Sequence, residues 1–188
     1  KPLYDAAIEH PDVIGLCIGT RPDCVPEATL DLIASYRERC EVWIEYGLQS
    51  THDQTLTAIN RGHDAACFFD AVERTRRRQL NVVAHVIHGL PGEDRNDMWE
   101  TSLAVARLDI HGIKVHNLQI VRHTVLAHEY RLGRLRLQTL DEFAAAAADT
   151  LELLGPQVLV HRLAGESPKD LLIAPRWSWN RLEVQTAI

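Results

Sequence analysis

At 188 residues and 46% hydrophobic, with ordinary charged content, the chain has the length and core material of one globular domain. Its net charge of −6 argues against bulk electrostatic attraction to nucleic acid or an anionic membrane surface. No apolar run approaches the ~20 residues of a membrane span, and the opening KPLYDAAIEH has no signal-peptide core, so a cytoplasmic protein is expected.

That opening lacks an initiator methionine and reads as the last turns of a helix, so a piece of a longer protein is expected. Val13–Ile18 is a short apolar run before Gly19-Thr20-Arg21-Pro22-Asp23, a strand and its loop. Pro26-Glu27 opens a helix to about Arg39, with Leu30, Ile33 and Tyr36 at helical spacing. Val42–Tyr46 is the second strand, turning at Gly47-Leu48-Gln49-Ser50; helices follow at about Thr51–Ile59 and Asp64–Gln79. Val82–His88 is the third strand and runs into the tight turn Gly89-Leu90-Pro91-Gly92. Glu93 and Asp94 then place negative charge on the first turn of a helix to Leu108. Gly112–Ile120 is the fourth strand, His123–Leu132 and Leu140–Leu154 are helical, and Val158–His161 is one more short strand. The tail from Gly165, with Trp177 and Trp179, reads as irregular or partly helical, its tryptophans packing.

Strands beginning near residues 13, 42, 82 and 113, each followed by a helix, have the spacing of βαβ units and predict a parallel sheet. Neither GxGxxG nor GxxxxGK[ST] occurs, so no nucleotide fingerprint supports a doubly wound fold. Alternate positions separate into two sets. One is apolar throughout: Ile14, Leu16, Ile18; Val42, Ile44, Tyr46; Val82, Ala84, Val86; Ile113, Val115. The other is small or polar: Gly15, Cys17, Gly19; Trp43, Glu45, Gly47; His85, Gly89; Lys114, His116. Strand side chains alternate between faces, so one face packs on helices and the other is too polar for a solid barrel core. A barrel with a ligand chamber in its lumen is expected, against the plainer reading of an internal salt-bridged network.

Arg74–Arg78 is the only dense basic run and reads as a solvated helix face. Cys17, Cys24, Cys40 and Cys67 contain no CxxC, so reduced thiols are the default. Gln49, past a strand end, can grip a hydroxyl pair, and Arg61 can clamp a carboxylate bidentately.

GTRPD at 19–23, EYGLQS at 45–50, INRGHD at 59–64, HGLPGE at 88–93 and GIKVHNLQIVRHT at 112–124 together resemble the radical S-adenosylmethionine (SAM) superfamily. Within it they are most similar to a bacterial Fe–S oxidoreductase branch akin to the Elongator catalytic subunit and oxygen-independent coproporphyrinogen oxidase. The resemblance implies an α/β fold, an open (β/α)6 TIM-like partial barrel of which this chain holds roughly strands 3–6. Residues 1–157 would be its carboxy-terminal two-thirds and 158–188 an extension packed on it. It implies a [4Fe–4S] cluster that reductively cleaves SAM to a 5′-deoxyadenosyl radical for hydrogen abstraction. By motif, Gln49 would bind the ribose hydroxyls and Arg61 the methionine carboxylate. Ile87, Gly89 and Leu118 would lie against the adenine, and His85 would make a polar ribose or amino-group contact. Arg21, Glu45, Lys114 and His116 would face the substrate, the last three by strand parity.

Two departures stand out. Some relatives have Glu where this chain has Gly19, and the cluster motif CxxxCxxC is absent. Cys17 and Cys24, seven residues apart, do not have its spacing, so no metal ligands are assigned here; the parent protein would supply them. The parent would take electrons from a reductant such as flavodoxin or ferredoxin. The Elongator likeness raises tRNA as a substrate, which the acidic charge does not support. Other readings are a non-catalytic binding barrel, and a metal hydrolase using His85, His88 and His116, against which parity counts. A sheet missing its first strands also exposes an edge, and self-association through it is expected.

Overall fold

The computed structural model describes all 188 residues, Lys1–Ile188. Five parallel strands form one sheet in the order β1-β2-β3-β4-β6: β1 Gly15–Thr20, β2 Glu41–Gln49, β3 Asn81–His88, β4 Gly112–Asn117 and β6 Leu159–Arg162. The helices crossing between them are α2 Glu27–Ala34, α3 Asp53–Ala58, α4 Ala65–Arg77, α5 Arg95–Ala106, α6 Val125–Arg131 and α7 Leu140–Leu153. Short helices α1 Pro2–Ala7 and α8 Arg181–Ala187 lie at the ends. The architecture is an α/β partial barrel with a parallel sheet, as the βαβ spacing predicts.

The apolar set of each strand faces the helices. Val42, Ile44 and Tyr46 of β2, Val82, Ala84 and Val86 of β3, and Ile113 and Val115 of β4 join one core with Leu30, Phe68, Phe143 and Val184. Each such large side chain contributes roughly 1.5–3 kcal/mol on burial. Phe68 and Ala71 dock α4 on β2, where the Tyr46 hydroxyl meets Thr75 Oγ1 at 2.7 Å. Helix α7 is Ala-rich because Ala144, Ala146 and Ala147 are buried, small enough for it to lie close against α5. The helix starts carry the side chains their positions call for: Asp64 caps α4, and Asp94 with Asp97 and Thr139 with Glu142 form capping boxes on α5 and α7.

Several boundaries differ from the sequence expectation. Strand β2 continues through Gln49 by a bulge between Gly47 and Gln49, with Gln49 at φ 77°. The α2 helix stops at Ala34 and tightens into a 3-10 turn, Ser35–Glu38. Strand β4 stops at Asn117. Ile120–Val121 is a separate strand, β5, pairing antiparallel with β7 (Leu172–Ala174), a long-range partner no local pattern reveals. Ile14, assigned to the buried set, is 82% exposed because the strand begins one residue later. Helix α5 begins at Arg95, so Asp94 is its cap and Glu93 precedes it.

The tail holds onto the body at three places. β6 pairs with β4, Val184 is buried in the core, and Trp177 stacks on Phe143 at 5.3 Å while its indole N–H donates to Gln138 O. Trp179 is the exposed one of the pair, 38% accessible beneath Arg176.

Candidate ligand chamber and its mouth

The polar set lines the face opposite the helices. At its centre, one Glu45 oxygen accepts from Lys114 Nζ at 2.5 Å and from His85 Nε2 at 3.0 Å. Burial pushes the Glu45 carboxyl up, but Lys114 and His85 outweigh it and hold it below its ordinary value. Burial holds the His85 imidazole below its own, so the neutral ring donates Nε2–H to Glu45 and leaves Nδ1 as an acceptor. His116 sits 5.4 Å from the His85 ring, its Nε2 buried without a partner. Burial, then the nearby His85, pushes His116 down to about 4. Toward the amino-terminal strand ends, Trp43 packs edge-on against His161 at 5.2 Å. The polar face thus carries the ion-paired network of the plainer reading, with Glu45, Lys114, His85 and His116 brought together on the side that parity predicted.

At the carboxyl ends of β1 and β2 lies the mouth. Arg61 donates Nε at 3.1 Å and Nη2 at 2.6 Å to Gly47 O, and His63 Nε2 reaches the same oxygen at 3.2 Å. A Cβ on Gly47 would press on Arg61 Nη2 and Gln49 Nε2, so both side-chain ends would have to move from where they cross there. Burial, then the Arg21 guanidinium, lowers the Arg61 pKa, the mark of a cation short of negative partners. Arg21 pairs with Asp23 beside Gly62. It stands exposed at the rim rather than in the chamber wall. A Cβ on Gly19 would meet nothing within 4 Å, so an open space faces the lumen there.

The next turn completes the mouth. Gly89 has φ 83°, and Leu118 N–H donates to His88 O, which keeps the ends of β3 and β4 together. Ile87 has the lumen parity of His85 and is half-buried. Glu93, missed as a site residue, folds back to accept from Ser50 Oγ at 2.5 Å and is held above its ordinary pKa by burial. It ties the β3 turn to the end of β2. The signal for it was only the 43-residue pairing of two loop residues.

Gln49, Arg61, Ile87, Gly89 and Leu118 therefore stand at the strand ends, while His85, Glu45, Lys114 and His116 stand within the lumen. His88 points the other way, its Nε2 2.9 Å from Thr150 Oγ1 in the core. The His85–His88–His116 ligand set of a metal hydrolase is accordingly split across the sheet. The arginines of the basic run pair with Asp70, Glu27, Asp31, Glu73 and Asp109, so they form an ion-paired helix face. A cleft of about 610 Å³ opens outside the lumen between the Gly89–Arg95 turn and Arg134–Gln138. No helix is long and apolar enough to cross a membrane.

The mouth fits SAM. An Arg61 with donors to spare and a Gln49 amide beside it are suited to a carboxylate and a hydroxyl pair, over a glycine that a Cβ would block. A [4Fe–4S] cluster does not fit these residues: all four cysteines are free, and no three thiols come within ligating distance of one another.

Comparisons with known proteins identify the family and the fold. Residues 3–105 match the radical SAM superfamily and residues 110–188 the radical SAM C-terminal domain. Protein YtqA of Bacillus subtilis is 40% identical over 188 residues, covering 100% of this chain and 58% of YtqA. The chain thus spans little more than half the length of that relative. Elp3 of the archaeon Methanocaldococcus infernus has the same fold, with TM-score 0.80 and 17% identity over 93% of this chain and 40% of that one. TsrM of Kitasatospora setae, a radical SAM methyltransferase solved with cobalamin and a [4Fe–4S] cluster, overlays with TM-score 0.56 and 16% identity over 84% of this chain and 40% of its own. With its parallel sheet and a family match over more than half its length, the chain belongs to the radical SAM superfamily.

Proposed function

We propose that this chain is the SAM-binding and substrate-enclosing part of a radical SAM Fe–S enzyme. The observation that carries this reading is the Arg61–Gly47–Gln49 crossing at the mouth of a polar lumen. Arg61, already braced on Gly47 O, would take the methionine carboxylate with its remaining N–H groups, and Gln49 the ribose hydroxyls. Ile87, the Gly89 backbone and Leu118 would bear on the adenine, and His85 would offer its free Nδ1 to a ribose hydroxyl or an amino group. SAM held there would supply the family's radical chemistry for hydrogen abstraction from a substrate, given an electron from a cluster bound outside these residues and with methionine as the leaving group. Glu45, Lys114 and His116 would face that substrate, with the Glu45 carboxylate holding Lys114 and the His85 ring in fixed orientation. Arg21 and Asp23 would close the rim against water. Cluster ligands would come from a part of the protein outside these 188 residues, so the chain alone would be inactive.

The test is anaerobic iron–sulfide reconstitution of the full-length protein, with SAM affinity by calorimetry and 5′-deoxyadenosine release with reductant. Cluster absorption, SAM binding and 5′-deoxyadenosine, with binding weakened in Arg61→Ala and Gln49→Ala, support the reading. The lack of a cysteine triplet favours, as a second reading, a non-catalytic ligand-binding barrel. SAM binding without cluster or 5′-deoxyadenosine would select it.

A further inference from the structure

One wall of the lumen carries polar groups that the internal network leaves unused. A register shift in β6 leaves His161 as an extra residue and pairs Arg162 with Lys114 of β4, so Arg162 joins His161 on the side of Lys114. Lys114 is held by Glu45, whereas the half-buried Arg162 makes no ion pair and no side-chain hydrogen bond. Its charge reaches both His85 and His116, lowering their pKa values after burial has done so. His116 Nε2 is buried and unpartnered on the same wall.

The segment bearing Arg162 is tied down. Gly165 N–H donates to Asn117 Oδ1 at 3.0 Å, Gln119 Nε2 donates to Gly165 O at 2.9 Å, and Ser167 Oγ donates to Gln119 Oε1 at 2.5 Å. Gly165 in turn lies against His116, whose Nδ1 would be 3.5 Å from a Cβ there. The fixed groups facing this wall are Glu45, Lys114, His85, His116, His161, Cys17 and Arg162. With the imidazoles neutral they leave one positive charge unmatched, in a chain of net charge −6. Arg162 lies opposite Lys114, two residues along β4 from His116 on the same face, so a guanidinium without an ion pair and a buried, unpartnered imidazole nitrogen share one wall. A planar fork of N–H donors beside a ring N–H matches an oxyanion.

We propose that Arg162 and His116 form an anion subsite on the β4–β6 wall, and that the substrate enters the chamber bearing a carboxylate or phosphate group. This rests on the reading of the lumen as the substrate chamber. The probes are inorganic phosphate and succinate, titrated separately into the protein labelled with 15N at histidine and arginine. Saturable shifts of the His116 ring nitrogens and Arg162 Nε are expected. Affinity should fall about tenfold or more in Arg162→Gln, less in Arg162→Lys, and measurably in His116→Asn. A response to phosphate alone assigns a phosphate-bearing substrate, to succinate alone a carboxylate-bearing one, and to both an oxyanion of either kind. No saturable shift with either probe, or affinity unchanged in folded Arg162→Gln and His116→Asn, overturns the proposal. SAM calorimetry on the same samples separates the two readings. Lost SAM binding with the anion response intact counts against the proposed function, and the reverse counts only against this subsite.

Discussion

Lys114→Met removes the cation from the central pair and leaves Glu45 with His85 alone. Breaking a fully buried pair by removing one partner costs about 3–5 kcal/mol. Here the Lys114 and Glu45 side chains keep 18% and 11% exposure, and Glu45 retains one hydrogen bond. The expected loss at pH 7 is therefore about 2 kcal/mol, or ~4–8 °C in Tm for a chain of this size. Its pH dependence follows from Glu45. In the wild type the folded-state carboxyl lies below its ordinary value, so its contribution is present at neutral pH and is lost as pH falls through that value. Without Lys114, burial is expected to raise the same carboxyl, so the folded variant takes up a proton before the unfolded chain and gains stability as pH falls. Both trends close the gap between the proteins from pH 7 to about 4. Urea unfolding across that range, with the Glu45→Gln/Lys114→Met pair as partner variant, reads the effect. A penalty constant with pH, or a double variant destabilised by the sum of its parts, would refute the ion-pair account.

Three further outcomes are expected. Gly47→Ala drives a Cβ against Arg61 and Gln49; SAM affinity by calorimetry should fall about tenfold or more, for a stability loss below about 1 kcal/mol. His88, pushed by burial from 6.5 down to about 4, is neutral when folded, so the unfolded chain protonates first as pH falls. Stability is full above the unfolded value and loses about 3 kcal/mol toward pH 4. His88→Leu should flatten that slope, with Thr150 still bonded to Ser102 and Ala146 O; an unchanged slope would place the acid sensitivity elsewhere. The β1 edge beside exposed Ile14, and β6 with Leu159 56% and Val160 42% exposed, should pair between copies. Light scattering should show concentration-dependent dimers that Ile14→Lys reduces, and a monomer at every concentration would end the idea.

The fold was legible because period-two alternation is local. Val82, Ala84 and Val86 against His85 and Gly89 state which face is wet before any partner strand is known. The same alternation assigned Glu45, Lys114 and His116 to one lumen, and the family motifs set Gln49 and Arg61 at its mouth. What stayed hidden depends on pairing across long stretches of chain. Glu93 reads as helix-start charge until Ser50 is found beneath it, and Ile120–Val121 reads as more of β4 until β7 arrives from the tail. Arg162 was passed over because a lone arginine has no pattern. Only its register with Lys114, and the lack of an acid opposite, give it meaning. The bulge at Gly47–Gln49 resembled an ordinary turn because glycine and glutamine suit either.

That bulge leaves Gln49 in the left-handed region, where a side-chain-bearing residue costs about 1–2 kcal/mol relative to glycine. Gln49→Gly should thus raise the melting temperature while deleting the amide that crosses above Gly47. Heat-resistance selection run on this scaffold would converge on that change and discard the ligand with it. Variants surviving such a screen would need to be sorted by SAM affinity before their stability was counted as improvement.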